Sequence, residues 1–141
     1  MKISIPIDSA IAKSLRESVS SDPKVVRNGI FEGFSIFNYY ADMMILTTTT
    51  GYKSRQPAIK CNLKISTREI LTHAIEETWL QNREDKPGVP HAAIILLSPS
   101  EEETHMTYCT DSDAEQWAIE DKDLPQLREE LRSDFISPPS N

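Results

Sequence analysis

The longest apolar run in the chain, Ala92–Leu97, follows Pro90 and ends at the polar Ser98. Six consecutive apolar residues are too few to span a bilayer, which takes about 20 residues in a helix. An apolar run of this length between turn-forming residues is typical of a strand that is buried on both faces. The run therefore predicts the central strand of a sheet.

Other strands are predicted where apolar and polar residues alternate. Ile3, Ile5 and Ile7 alternate with polar residues and Pro6, and because proline has no N–H, this strand belongs at a sheet edge or at a strand end. Further strands are predicted over 34–40 and 43–50, joined by a turn at Ala41-Asp42, and over 59–65 and 104–110.

Helices are predicted where apolar residues recur every three or four positions. One carries Ile11, Leu15 and Val19, and a second begins at a capping box with Ser66 as N-cap. A short one around 114–119 carries Trp117, and the last is capped by Asp123. The order β-α-β-β-β-α-β-β-α predicts a small single α+β domain over residues 1–136, with a mainly antiparallel sheet and helices packed on one side. Residues 137–141 are expected to be a disordered tail.

The net charge of −7 is unevenly distributed along the chain. Residues 101–141 hold twelve acidic and three basic side chains, a charge of −9, so residues 1–100 carry +2. An acidic C-terminal third disfavours binding of nucleic acid or of an anionic membrane at that end. It suits a partner protein with a basic surface, although a solvated acidic face is the simpler interpretation.

The cysteines and the N-terminus indicate a cytoplasmic protein. Cys61 and Cys109 lie far apart without metal-ligand spacing, and both fall in strand-like alternation, so we expect buried free thiols. Residues 1–6 lack the apolar segment and the cleavage site of a signal peptide. No membrane segment and no cofactor are expected.

The predicted hairpin has more apolar side chains than one sheet face can cover. Either it is central and buried on both faces, or one face is exposed for a partner, which includes a second copy of the chain. The sequence therefore predicts a homo-oligomer or a complex with another protein through the 34–46 region. The candidate interface residues are Phe34, Phe37, Tyr39, Tyr40, Met43 and Met44.

A candidate anion site lies in Thr47–Arg55. Thr50, Lys53, Ser54 and Arg55 follow one another at a strand end, where hydroxyls and cations form charge-assisted hydrogen bonds to phosphate or carboxylate. The stretch resembles Leu-Thr-Thr-Thr-Gly-x-Lys-Ser-Gly-x-Pro of deazaflavin-dependent nitroreductases, in which the lysine-serine part lies against the cofactor's phosphate chain. The matching residues are Thr48, Thr49, Thr50, Gly51, Lys53, Ser54 and Pro57, and a later Trp-x-x-Asn-x4-Pro piece is similar to Trp79, Asn82 and Pro87.

The chain is not assigned to that family. Arg55 stands where the family has glycine, and a strand and a Ser66-capped helix are predicted where the family has barrel strands. The simpler interpretation of Thr47–Arg55 is a strand-end turn followed by a solvated basic loop.

Catalytic and metal motifs are incomplete. His73 shares a helix face with Glu69 and Glu77, but a second histidine or cysteine at ligand spacing is missing, so surface pairing is the better interpretation. His105-Met106-Thr107 has the His-x-Thr spacing that two-histidine phosphoesterases use in pairs, and neither His73 nor His91 supplies the second tripeptide. The residues therefore favour a non-enzymatic protein.

The element order is similar to that of the class I chaperones of type III secretion, which are non-enzymatic dimers that hold a client segment on apolar patches. This resemblance puts the interface and the core on the Ile70–Trp79 stripe and the 124–135 helix. Two functions remain open. The favoured one is a chaperone-, inhibitor- or adaptor-like protein-binding module, and the alternative is a small enzyme or ligand-binding protein for a phosphorylated compound at Thr47–Arg55.

Overall fold

The computed structural model describes residues 2–29, 31–41, 44–53, 55–83, 90–97, 104–117 and 124–136, with only the main chain at 40, 41, 44–46, 79, 82, 83 and 133–136. The elements in these ranges are β1 (Lys2–Pro6), α1 (Ser9–Ser20), α2 (Pro23–Asn28), β2 (Gly33–Ala41), β3 (Met44–Tyr52), β4 (Ile59–Cys61), α3 (Ile65–Arg83), β5 (His91–Leu97), β6 (His105–Thr110), α4 (Ser112–Glu115) and α5 (Leu124–Ile136). The expected tail at 137–141 lies outside the described residues.

The strands form one antiparallel sheet in the order β1-β6-β5-β2-β3-β4. This confirms the predicted α+β class, and β5 is a central strand buried on both faces. β1 lies at the edge, as Pro6 predicts. The N–H of Ile7 donates to the carbonyl oxygen of Thr104 (2.9 Å), so the backbone groups of the odd residues in this segment point toward β6. The backbone of Pro6 points away from β6, where its missing N–H costs no hydrogen bond of the sheet.

Helices cover both faces of the sheet, whereas we expected them on one side. Phe34 and Ile36 of β2 pack with residues of α1 and α3, while Phe37 and Tyr39 pack with residues of α4 and α5. The alternation along β5 divides its side chains in the same way. Because the side chains on both sides of these two strands are apolar, each face of the sheet needs its own layer of helices.

The predicted hairpin is formed by β2 and β3, which pair from Gly33↔Tyr52 to Ala41↔Met44. Ala41 therefore belongs to β2 and not to the predicted turn, and residues 42 and 43 lie outside the described residues. Gly51 of β3 lies under an aromatic ring. A Cβ atom added there would lie 2.6 Å from Cε2 of Phe31, so no larger residue fits without a shift of the ring.

The third predicted strand, 59–65, is shorter in the structure because its second half binds the corner between α1 and α2. The N–H of Asn62 donates to Oδ2 of Asp22 (2.7 Å), and the N–H of Lys64 donates to Oγ of Ser18 (2.6 Å). These bonds to side chains replace ladder bonds to β3. The strand therefore ends at Cys61.

Two helix starts differ from the predictions. α3 begins at Ile65, before Ser66, and its first turn closes through the N–H of Arg68 and the carbonyl oxygen of Lys64 (2.9 Å). α2 was not predicted, although Asp22-Pro23 is a helix-start signal: Oδ1 of Asp22 accepts from the N–H of Lys24 (2.7 Å), and proline suits the first helical position.

The two cysteines are free and buried, as expected. Burial raises the pKa of the Cys61 thiol to about 11, and it raises the pKa of the Cys109 thiol as well. Both side chains therefore stay protonated near neutral pH and act as small apolar groups in the two core layers.

Candidate functional site

The three described candidate anion-binding residues, Thr50, Lys53 and Arg55, do not converge. Thr50 is buried on the face that α5 covers, opposite Ser35 of β2. Arg55 is exposed, with a φ of 60°, and Ser54 lies outside the described residues. The ammonium of Lys53 donates to the carbonyl oxygen of Asn28 and lies 5.8 Å from the centroid of the Phe31 ring. Lys53 thus holds the end of α2.

The turn after Lys53 is held by Arg132 of α5. Its guanidinium donates to the carbonyl oxygens of Lys53 and Gln56, the latter at 2.5 Å, and pairs with Glu129 at 3.0 Å. The same group lies 5.7 Å from the centroid of the Tyr52 ring. Sequence reasoning missed Arg132, because no local pattern indicates a bond between residues 79 positions apart.

A buried pair of hydroxyls lies beneath this turn. Oγ of Ser35 is 2.7 Å from Oη of Tyr52, and both side chains are buried. Burial raises the pKa of Tyr52 to about 12, against opposing effects of Ser35, Arg132 and Thr50, so the phenol stays protonated. This protonated phenol, hydrogen-bonded to Ser35, links β3 to β2.

The three histidines lie apart. His91 is buried, and its Nδ1 is 2.8 Å from Oη of Tyr108. His105 is exposed and stands opposite Pro6, near the other end of the β5–β6 hairpin. His73 lies on the solvent side of α3, 3.3 Å from a carboxylate oxygen of Glu77. Within the described ranges, no group of three His, Cys, Asp or Glu side chains is placed to hold a metal ion.

The chain itself covers the candidate interface residues whose side chains are described. Phe34, Phe37 and Tyr39 are buried, and the ring of Phe37 lies 6.2 Å from that of Trp117. Of the two alternatives for the hairpin, burial on both faces is therefore the one found for these three residues. The side chains of Tyr40, Met43 and Met44 lie outside the described part of the structure.

An apolar groove lies between β1 and α3. Its volume is about 110 Å³, and it is lined by Ile5, Pro6, Ile7, Asp8, Ile11, Leu71, Ala74, Ile75, Thr78 and Met106. Exposed apolar side chains adjoin it on both sides. Ile3, which shares a face of β1 with Ile5 and Ile7, is 38% exposed. Ile70, one helical turn before Ala74, is 51% exposed. The groove thus continues into an open apolar surface.

A second depression, of about 310 Å³, lies on α3 and has a different character. It is lined by Arg68, Glu69, Thr72, His73 and Glu76. Three of these side chains are fully on the solvent side of the helix and two are half-buried. Charged groups of both signs in water attract one another only weakly, and they provide no enclosed volume for a substrate.

Comparisons with protein-family models, with curated proteins and with solved structures find no match. Among the described residues, no helix is both long enough and apolar enough to cross a bilayer.

Proposed function

We propose that this chain is a non-enzymatic protein-binding module that accepts an apolar segment of another protein in the groove between β1 and α3. The observation that carries the proposal is the continuity of the groove with the exposed Ile3 and Ile70. Single exposed apolar residues are common on protein surfaces and need no explanation. Exposed isoleucines on both sides of a concave apolar surface are typical of a binding site.

The energetics favour occupation of this groove. Complete burial of an exposed isoleucine side chain contributes about 1.5–3 kcal/mol. Ile3 and Ile70 are each partly exposed, so a partner would gain a fraction of this at each residue. The floor of the groove, including Leu71, Ile75 and Met106, is already packed and needs no rearrangement. A preformed floor lowers the entropic cost of binding.

The edge of β1 indicates how the partner binds. The backbone groups of the even residues face away from β6, and one of these residues, Pro6, has no N–H to donate. Lys2 and Ser4 are thus the residues of β1 that offer complete outward pairs of backbone groups. Proline and lysine on an edge strand oppose strand addition. The partner is therefore held by side-chain contacts in the groove, as an amphipathic helix would be.

The alternative function, ligand binding at Thr47–Arg55, has less support. It requires Lys53, Ser54 and Arg55 to face a shared pocket together with a histidine. The ammonium of Lys53 instead bonds the backbone of Asn28, Arg55 is exposed, and the histidines lie on other elements. Alanine at both Lys53 and Arg55 should accordingly leave the affinity for a partner bound in the groove nearly intact.

The proposal is tested with Ile70→Asp and a matched control, Leu124→Asp. Leu124 is exposed too, but it belongs to α5 on the opposite face of the sheet. Partners are first recovered with the tagged wild-type chain and identified by mass spectrometry. The affinity of a recovered partner is then measured by titration. We expect Ile70→Asp to weaken binding at least about tenfold, which is ~1.4 kcal/mol, and the control to bind as the wild type does.

Equal binding by both variants would contradict the groove as the site. Loss of an enzymatic activity, or of binding of a phosphorylated compound, on replacement of Lys53 and Arg55, with the fold intact, would favour the alternative function instead.

A further inference from the structure

We infer that a second surface, built from α2, the 53–56 turn, β4 and the start of α3, binds an acidic segment of a partner protein. Two stretches, 23–31 and 53–68, hold seven lysines and arginines and no aspartate or glutamate. In a chain of net charge −7 this is a strong local excess of positive charge. The residues of this basic surface are Lys24, Arg27, Lys53, Arg55, Lys60, Lys64 and Arg68.

Tertiary contacts bring the two stretches together. The ammonium of Lys53 donates to the carbonyl oxygen of Asn28, which joins the turn after β3 to the end of α2. The N–H of Asn62 donates to Asp22 (2.7 Å), which joins the segment after β4 to the beginning of α2. Residues 25 and 40 positions apart in sequence thus meet at one end of the molecule.

The cations of this surface face water, and Arg68 at its rim adjoins Glu69 and Glu76 in the depression on α3. Six of the seven are exposed, and Lys53 is half-buried. Asp22, the acidic residue directly before α2, is buried, and its two oxygens accept backbone N–H groups of Lys24 and Asn62. Across the described ranges, no carboxylate forms an ion pair with any of the seven.

Two exposed apolar residues lie among these cations and help to define the partner. Val26 is next to Arg27 on α2, Ile65 is next to Lys64 at the start of α3, and each is 67% exposed. A surface that combines positive charge with isolated apolar side chains is complementary to a protein segment in which acidic and apolar residues are mixed. Such a segment gains from both kinds of contact at once.

Nucleic acid fits this surface less well. Single strands bind through base stacking on exposed aromatic rings, but Phe31 and Tyr52, the aromatic residues nearest to these cations, are buried. The acidic C-terminal third also repels a long polyanion beyond the area of direct contact. A short acidic segment avoids this repulsion because it covers the basic surface alone.

The test uses fluorescence anisotropy with the full chain and a labelled synthetic peptide of mixed glutamate and leucine. A peptide with lysine in place of glutamate, a single-stranded oligonucleotide of equal charge and phosphatidylserine vesicles are compared with it. We expect binding of the acidic peptide in preference to the other three, weakening as salt rises because the Debye length falls to about 8 Å at physiological ionic strength. Preference for the oligonucleotide or the vesicles would overturn the inferred partner.

The location is tested with the double charge reversal Lys60→Glu and Lys64→Glu. The control pair, Lys2→Glu and Lys13→Glu, makes the same change of charge at exposed residues of β1 and α1. We expect at least about tenfold weaker peptide binding for the first pair and less than about twofold for the control. Equal loss in both pairs would show that net charge alone drives binding, and no loss would place the site elsewhere. Thermal unfolding verifies the fold of both pairs. Lys60 and Lys64 lie outside the groove, so loss of binding in the first pair alone leaves the proposed function untouched.

Discussion

Asp22 shows how much of the architecture depends on one buried side chain. One of its oxygens caps α2 through the N–H of Lys24, and the other accepts from Asn62 and ends β4. A carboxylate held by two backbone N–H groups is satisfied without a cation. The same side chain therefore fixes the chain direction in two distant segments and leaves the neighbouring Lys24 available to the basic surface.

His91 makes the stability of the protein depend on pH. Burial lowers its pKa below the usual 6.5, although the charge of Asp111 opposes the shift. In the unfolded chain the imidazole takes up a proton near pH 6.5, while the folded chain resists protonation. The free energy of unfolding is therefore highest above pH 6.5, with respect to this group, and falls as pH drops toward and through the lower folded pKa.

The prediction for His91 is tested with His91→Gln, which keeps a polar group near Tyr108 but does not titrate. We expect the variant to be less stable by about 1 kcal/mol at pH 7.5, and this difference to shrink as pH falls from 7 to 5. Urea unfolding of both proteins at several pH values measures this difference in stability. The carboxylates are the same in both proteins, so their titration cancels in the difference. If the free energy of unfolding changed with pH equally in both, His91 would not be the cause of the pH dependence.

At the scale of elements, α5 is attached to the sheet by an apolar face and by one cation. Leu127 and Leu131 are buried against β2 and β5, and Arg132 bonds the 53–56 turn. Arg132→Met should therefore lower stability by about 1–2 kcal/mol, because two backbone carbonyls lose a charged donor at a partly exposed position. The midpoint of urea unfolding should fall with an unchanged slope.

Glu129→Gln is the control for Arg132. It removes the ion pair at 3.0 Å without touching the bonds to the turn. Pairs on the protein surface contribute little, so we expect a change below about 0.5 kcal/mol. A larger effect of Glu129→Gln than of Arg132→Met would mean that the ion pair, and not the turn, determines the position of α5.

At the scale of the whole molecule, the two faces of the sheet are covered by different helices and border different surfaces. One face carries α1 and α3 and borders the groove, and the other carries α4 and α5 from the acidic third of the chain. The basic surface lies beyond, at the β4 edge. Three chemically distinct surfaces on so small a domain suit a protein that contacts other proteins.

Self-association through the 34–46 region stays a prediction, and it now depends on Tyr40, Met43 and Met44. Sedimentation velocity at micromolar concentration should give a dimer, and Met43→Glu combined with Met44→Glu should give a monomer, because buried charges at an apolar interface cost several kcal/mol. Ile70→Asp, in the groove, should leave the dimer intact. A wild-type chain that sediments as a monomer would exclude this interface.

The sequence predicted the elements that have strong local signals. The run Ala92–Leu97, the edge position of Pro6 and the alternation in 34–50 correspond to β5, β1 and the hairpin. The end of β4 was missed, because it depends on bonds from Asn62 and Lys64 to side chains some 40 positions away. The groove was missed for a similar reason, since its two walls come from opposite ends of the N-terminal 80 residues.

The sequence by itself determined the α+β class, the antiparallel sheet and its most buried strand, because periodicity and turn residues act over a few positions. Only the tertiary structure decided which apolar residues are buried and what the charged side chains contact. It buried Phe34, Phe37 and Tyr39 under helices on both faces, and it bonded Lys53 and Arg132 to the backbone of distant segments. It also joined 23–31 to 53–68 in one basic surface. Burial and charge neutralisation depend on neighbours in space, which a linear pattern does not specify.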